Sequence, residues 1–329
     1  MSPHRGLWPA RGAVHASTGE ADSARARAGI RTPVAIFVVG LSSVFLSAAA
    51  QELEPRAYSP SPTGTTFLVV GATRSRGGVF TDPSAPISDV DATVGLLGLT
   101  LGHTFGIAGK QAMLLGLLPI AWGEASGQVG EDRREVSRRG LADGRIRFSM
   151  ILAGSPAMAR QEFARAPRRT ILGASVTVAP PSGQYDPTKL VNLGANRWAF
   201  KPEFGVSHPA GRWTLDAYAA AWFFTANRSY FPAQSLREQD PIFGLQGHVS
   251  RVFGRRAWLA GNFTWYRGGT TRIDGVDKAD LQQNTRVGVT WSQPFGTRHS
   301  VKAAYSTGAT TRIGADFQTI TLAWQMVFF

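Results

Sequence analysis

Apolar and polar residues alternate with a period of two through much of this chain, most sharply in two neighbouring stretches. From Trp198 to Val206 the apolar positions are Trp198, Phe200, Pro202, Phe204 and Val206, with Ala199, Lys201, Glu203 and Gly205 between them. From Trp213 to Phe223 they are Trp213, Leu215, Ala217, Ala219, Ala221 and Phe223, interleaved with Thr214, Asp216 and Tyr218. Successive side chains of a strand point to opposite faces, so a period of two specifies β-structure rather than helix. Read this way, the chain predicts about twelve strands, over 64–74, 91–105, 110–126, 139–153, 168–180, 198–208, 212–226, 241–254, 256–268, 283–294, 299–309 and 315–329.

The connections alternate too. Those after even strands are short or compact: Gly106 to Gly109, Pro209 to Gly211, a turn near Arg255, and Gln293 to Arg298. Gly154 to Pro167 is the exception, long enough to hold a helical turn. Those after odd strands are longer: Ser75 to Val90, Gly127 to Arg138, Pro181 to Arg197, Asn227 to Asp240, and Gly269 to Gln282; the last, Thr310 to Gly314, is short. Short turns at one end and long loops at the other are the asymmetry of an outer-membrane barrel. The expected fold is all-β, a transmembrane antiparallel up-and-down barrel of about twelve strands.

Face by face, the expected outward residues include Ile146, Phe148, Met150, Leu152, Leu172, Val176, Phe243, Leu245, Leu259, Phe263, Val287 and Val289. Trp198, Trp213, Trp258, Trp265 and Trp291 fall near strand ends, where aromatic girdles lie. Inward fall Asp143, Arg145, Arg147, Lys201, Glu203, Asp216, His248, Asn262, Arg286 and Lys302. A dry core makes such charges costly unless they pair, whereas a hydrated or ion-paired lumen accommodates them. The lumen-lining candidates are Arg145, Arg147, Lys201, Glu203, Asp216, His248, Arg286 and Lys302. The first and third strands alternate poorly, and their faces stay unassigned.

An export signal strengthens the membrane reading. Arg25, Arg27 and Arg31 precede the apolar run Val34 to Phe45, and Ser47-Ala48-Ala49-Ala50 offers small residues for cleavage. The expected organisation is a leader extension or early start over 1–24, a signal peptide over 25–50, a periplasmic segment over 51–63 and the barrel over 64–329. Cleavage after Ala50 leaves 279 residues with 30 basic and 20 acidic side chains. That balance favours anionic partners such as lipopolysaccharide phosphates, and no nucleic-acid motif accompanies it. Cysteine is absent, so neither disulfides nor thiolate metal sites are available. The histidines are dispersed, and neither a metal nor another cofactor is implied. The last strand places Ile320, Leu322, Trp324, Met326 and Phe328 on one face and ends at Phe329, just out of register. An amphipathic strand with a terminal aromatic resembles the signal read by the barrel-assembly machinery.

From about Glu54 onward the chain resembles the outer-membrane transporter family named for the "MetA pathway of phenol degradation". PSGQYDPTKLVNLGANRWAFKPEFGVSH (Pro181 to His208) and WTLDAYAAAWFFTAN (Trp213 to Asn227) carry the resemblance, with QDPIFGLQGHVS, YRGGTTRIDG, QNTRVGVT and TRIGADFQTITLAWQ. It implies a barrel-forming transporter in the outer membrane, with aromatic or other hydrophobic compounds among its solutes. Within 181–197, Gly and Pro favour a defined loop, folded over the pore or packed only on the rim. The constriction candidates are Tyr185, Asp186, Lys189 and Asn192.

Three functional classes follow. One is a passive channel, with five cations (Arg145, Arg147, Lys201, Arg286, Lys302) against Glu203 and Asp216, predicting mild anion preference. Another is a barrel plugged by paired side chains and Gln51 to Gly64, serving as an anchor or binding surface. The third is a hydrolase of the outer-membrane phospholipase type using His248, Ser250 and Asn262. Its side chains would have to face lipid, whereas Phe243, Leu245 and Val249 claim that face, so a non-enzymatic barrel is the expectation. A hydrophobic-solute path would need inward aromatic groups, for which Tyr218, Trp222, Trp258 and Tyr266 are candidates.

Overall fold

The computed structural model describes residues 54–82, 87–189, 191–232, 234–254 and 256–329. The expected leader and signal peptide lie outside the described residues. Strands are numbered in chain order: β1 (Thr66–Phe80), β2 (Ile87–Ile107), β3 (Lys110–Val129), β4 (Asp132–Leu141), β5 (Arg145–Ala153), β6 (Ile171–Ala179), β7 (Ala199–Ala210), β8 (Trp213–Phe224), β9 (Asn227–Tyr230), β10 (Ser235–Gln239), β11 (Ile242–Phe253), β12 (Ala257–Gly268), β13 (Thr271–Ile273), β14 (Val276–Asp277), β15 (Gln282–Phe295), β16 (His299–Thr311) and β17 (Gly314–Phe328).

Twelve of these close into an antiparallel barrel, running β1, β2, β3, β5, β6, β7, β8, β11, β12, β15, β16, β17 and back to β1. The closing pair is continuous from Thr66 opposite Phe328 to Phe80 opposite Gly314. The start of β1 and the end of β17 therefore lie at the end that carries the short turns. The only helix among the described residues is the turn Arg160–Phe163, in the β5–β6 connection.

Burial is inverted relative to a water-soluble protein. Phe204 is 65 % exposed, Leu118 55 %, Phe243 57 % and Leu322 55 %, all on the outer face, while Arg286, His248 and Asn284 are almost fully buried inside. An apolar belt of this extent is stable against lipid, and closure satisfies every strand edge in the ring. Trp122, Trp198 and Trp265 border the belt near the loop end; Trp213, Trp291 and Trp324 border it near the turn end.

Three expectations need correction. The stretch 139–153 is not one strand: it breaks at Ala142–Gly144, so that β5 pairs with the turn-end half of β3 while β4 pairs with the loop-end half. The segment 127–138 is thus largely a projecting hairpin arm rather than a loop. The stretches 227–240 and 269–282 contain β9, β10, β13 and β14, which form a separate small sheet at the loop end. Finally, Trp258 is not in a girdle. It shares the inward parity of Ala260 and Asn262 and lies under Arg56 and near Lys302.

Candidate functional site: the barrel lumen

The structure turns the charged side chains of the strands toward the lumen and gives most of them partners. Arg147 donates to Glu203 (2.9 Å) and to Glu54 (2.8 Å), while Lys201 lies 3.5 Å from the second Glu203 oxygen. Buried charges are tolerable when matched in this way. Asp216 accepts the backbone N–H of Arg56 at 3.2 Å. His248 pairs with Asn262 at 2.9 Å, and Asn262 donates to Thr290. Arg286 donates to the carbonyl of Phe317 and to Ser306. Arg145 and Lys302 line the open part of the lumen. Ser250 is fully buried, and neither its hydroxyl nor His248 Nε2 has a hydrogen-bond partner. No His–Ser bond assembles a nucleophile, and both side chains face away from lipid.

The turn end of the bore is filled by the segment before β1: Glu54 to Thr65 lies inside the barrel. Tyr58, 2 % exposed, is its anchor. The ring occupies a slot over Gly173 on β6 and Gly205 on β7, where an added Cβ would stand 2.1 and 2.3 Å from ring atoms. Glycine inside a strand marks such a close approach. The Tyr58 hydroxyl contacts Glu203 Oε1 at 3.0 Å and Ser175 Oγ at 3.1 Å, Arg147 lies over the ring, and Tyr218 meets it edge-on. Further along, Ser61 N–H donates to Gln111, Thr63 N–H to the Met158 carbonyl, and Gly64 N–H to the Thr104 carbonyl.

At the loop end, the β6–β7 connection crosses the mouth. Val191, 1 % exposed, packs among inward residues of the far wall, including Val79, Val90, Val94, Ala125 and Phe317. Its carbonyl accepts Arg138 Nε at 2.9 Å. The constriction candidates hold this loop in shape. Tyr185 donates to the Ser229 carbonyl and accepts from Asn227, and burial raises its pKa. Asp186 accepts from the Thr188 hydroxyl and backbone and pairs with Lys189 at 3.0 Å. The Thr188 hydroxyl and then Lys189 hold the Asp186 carboxyl down at about 2. Asn192 accepts Asp186 N–H and donates to its carbonyl. These four residues shape the loop, while Leu193, Ala195 and Arg197 line the cavity beneath it. Asp143, at the β4–β5 break, accepts N–H groups of Gly183 and Ala195; its pKa is raised, with burial outweighing those bonds.

Between plug and loop lies a cavity of about 870 Å³. One wall is apolar: Phe67 and Val69 of β1, Leu96 of β2, and Met113, Leu115 and Leu117 of β3. On β1 and β3 the lumenal side is apolar as well as the outer one, leaving no polar alternation to read. Across the cavity stand Trp222 and Phe224, stacked at 6.4 Å, beside Arg197, Arg237, Arg286 and Lys302. Of the aromatic candidates, only Trp222 lines the cavity. Tyr218 packs on Tyr58, Tyr266 accepts from Asn284, and Trp258 lies below Lys302.

The sequence signature described as "Putative MetA-pathway of phenol degradation" matches residues 59–322, nearly the whole barrel. The chain belongs to this family. Its fold resembles that of an outer-membrane channel from Pseudomonas putida F1, with TM-score 0.73 and 22 % identity over 84 % of this chain and all of that one. Weaker likeness extends to the β domain of the Bordetella autotransporter BrkA (TM-score 0.49, 11 % identity, 81 % of this chain, 100 % of that one). The KdgM porin is similar at TM-score 0.44 and 7 % identity, over 79 % of this chain and 99 % of that one. No curated protein matches the chain. The likeness to the Pseudomonas barrel establishes the fold, and the family membership rests on the sequence itself.

Among the described residues no cluster of His, Asp and Glu is arranged to hold a metal ion. Arg197 and Arg237 carry no expectation from the sequence, because strand parity cannot place loop residues. Tyr58 is likewise silent, although Gly173 and Gly205 within their strands were a legible sign that something approaches closely.

Proposed function

We propose that this chain is an outer-membrane channel for passive uptake of small solutes that carry a substantial apolar part. The observation that supports this reading best is the cavity of about 870 Å³ with its apolar wall on β1, β2 and β3, because a water-filled general porin has no use for such a lining. A volume of this size suits a small organic molecule. The belt of exposed apolar side chains between two rows of tryptophan supports placement in the outer membrane. Conduction requires the Tyr58 segment to leave its slot and the 185–192 loop to lift from the mouth; each is held by a few side-chain contacts with the barrel wall rather than by strand pairing.

The lumenal charges give the channel a cationic bias smaller than their number implies. Arg147 and Lys201 are compensated by Glu203 and Glu54, which leaves the bias to Arg286, Lys302 and the loop arginines. The seating of Tyr58 also favours a second reading, a permanently filled barrel that anchors or displays its loops. Proteoliposome efflux of a small, membrane-impermeant solute separates the two. Deleting residues 185–192 accelerates efflux in a channel, whereas a filled barrel stays tight with or without the loop.

A further inference from the structure

We propose that Arg197 and Arg237 form a binding site for the carboxylate of an amphipathic organic acid, of which an aromatic carboxylate is the simplest, with its apolar body against the β1–β3 wall. The site deepens the channel reading, on which it rests for how the acid arrives.

The two guanidinium groups come from separate elements, Arg197 from the end of the mouth loop and Arg237 from β10 in the small outer sheet. Each is only 3 % exposed, and both line the cavity. Arg197 donates to Gln239 and lies 4.3 Å over the ring of Phe224, but its Nε and Nη1 have no partner. Arg237 lies 5.3 Å over Tyr230, and its Nε has none. Among the described residues neither guanidinium has a carboxylate oxygen within 4.0 Å. The contrast with Arg147, clasped by two glutamates in the same lumen, is plain.

The acids nearest this end are already engaged. Asp143 holds two backbone N–H groups, Asp280 holds the backbone and hydroxyl of Thr271, and Asp82 holds Ala279 N–H. Two buried cations that repel each other and lack a directly paired carboxylate are costly. A ligand carboxylate would supply that pairing, and the planar fork of arginine matches it in two parallel hydrogen bonds. Phe224 and Tyr230 lie against the two guanidinium groups, and a small shift of either arginine would turn its unpartnered donors to a ligand carboxylate. Chemistry on the opposite wall selects the rest of the molecule. A compact inorganic anion would leave Phe67, Met113 and Leu115 facing water, whereas an organic acid with a ring or short chain covers them. A cavity of about 870 Å³ accommodates both parts at once.

The test is calorimetric titration of the purified full chain in detergent with benzoate, and with benzyl alcohol as its neutral counterpart, at pH 7. Benzoate is expected to bind at least about tenfold more tightly than the alcohol, as charge-assisted pairing implies. Arg197→Gln and Arg237→Gln should each weaken benzoate about tenfold or more while changing benzyl alcohol by less than about twofold. Benzoate binding no tighter than the alcohol, or equal in wild type and both variants, would overturn the site. Displacement by inorganic phosphate as readily as by a second aromatic acid would overturn the amphipathic assignment. Heat-modifiable gel mobility verifies folding, and Arg197→Lys replaces Arg197→Gln if the latter fails to fold. Conductance of the same preparations separates the two ideas. Binding without conductance contradicts the channel and leaves the site standing, whereas conductance without binding removes the site alone.

Discussion

Gly173→Ala should unseat the N-terminal plug while leaving the barrel intact. The backbone at Gly173 is ordinary strand, so alanine costs nothing there, yet its Cβ would stand 2.1 Å from Tyr58 Cδ1. The ring cannot move aside without leaving the slot, because Gly205 and Tyr218 close its other side. Burial of the ring contributes about 2–3 kcal/mol, and the hydroxyl's bond to Glu203 about 1.5–3 kcal/mol. Ordering the segment offsets part of this, leaving roughly 3 kcal/mol for the anchor. At 1.4 kcal/mol per decade, the seated-to-unseated ratio falls by about a hundredfold. Trypsin reports that ratio directly, since the Arg56–Ala57 bond is shielded in the lumen when the segment is seated. When opening is fast relative to cleavage, the rate tracks the unseated population. Intact-mass analysis should therefore show cleavage after Arg56 about a hundredfold faster in Gly173→Ala and in Tyr58→Ala, with Tyr58→Phe intermediate. Equal rates in Gly173→Ala and wild type, from folded protein, would refute the slot argument.

Val191→Asp should lift the mouth loop, because a carboxylate cannot stay among Val79, Val94 and Phe317; proteolysis within 185–192 then rises sharply while barrel heat-modifiability is retained. Glu203→Ala removes the buried carboxylate that Arg147 and Lys201 share and should lower stability by about 3–5 kcal/mol, seen as a lower temperature for the heat-modifiable gel shift, whereas Glu203→Gln costs less. The Asp186 carboxyl, held at about 2 in the fold against 3.8 ordinarily, supports the loop at pH above the ordinary value. That support is lost as pH falls from 3.8 toward 2, so hydrogen exchange across 184–192, corrected for its intrinsic rate, should accelerate there and be pH-independent in Asp186→Asn. Reversal potentials in a salt gradient should show mild anion preference that weakens in Arg286→Gln, and cation selectivity in the wild type would contradict the lumenal charge reading.

The ring of strands was legible because β5 to β17 mostly place apolar side chains against lipid and polar ones in the bore, a contrast that a period of two makes visible. The same physics explains the gap. On β1 and β3 the lumenal face is apolar too, so the alternation vanishes where the solute cavity lies. The β3–β4 arm was hidden for the opposite reason: Arg133, Arg134, Glu135, Arg138 and Arg139 give β4 little apolar face to read. Lys201, Glu203, Asp216, His248 and Arg286 are buried on the parity of their strands, but parity does not say which charges meet. For Trp258 nearness to a strand end and strand parity point to different faces, and the structure follows parity. Tyr58, Val191, Arg197 and Arg237 act from segments without periodicity, and only the folded chain brings them to the bore.

Single-channel conductance in planar bilayers tests the central claim most directly, using the full chain beside a variant that combines Gly173→Ala with deletion of 185–192. Rare, brief openings in the wild type and long-lived discrete steps of larger amplitude in the variant are the predicted result. Silence from both, with heat-modifiable mobility showing each to be folded, would contradict the account and leave a filled barrel in its place.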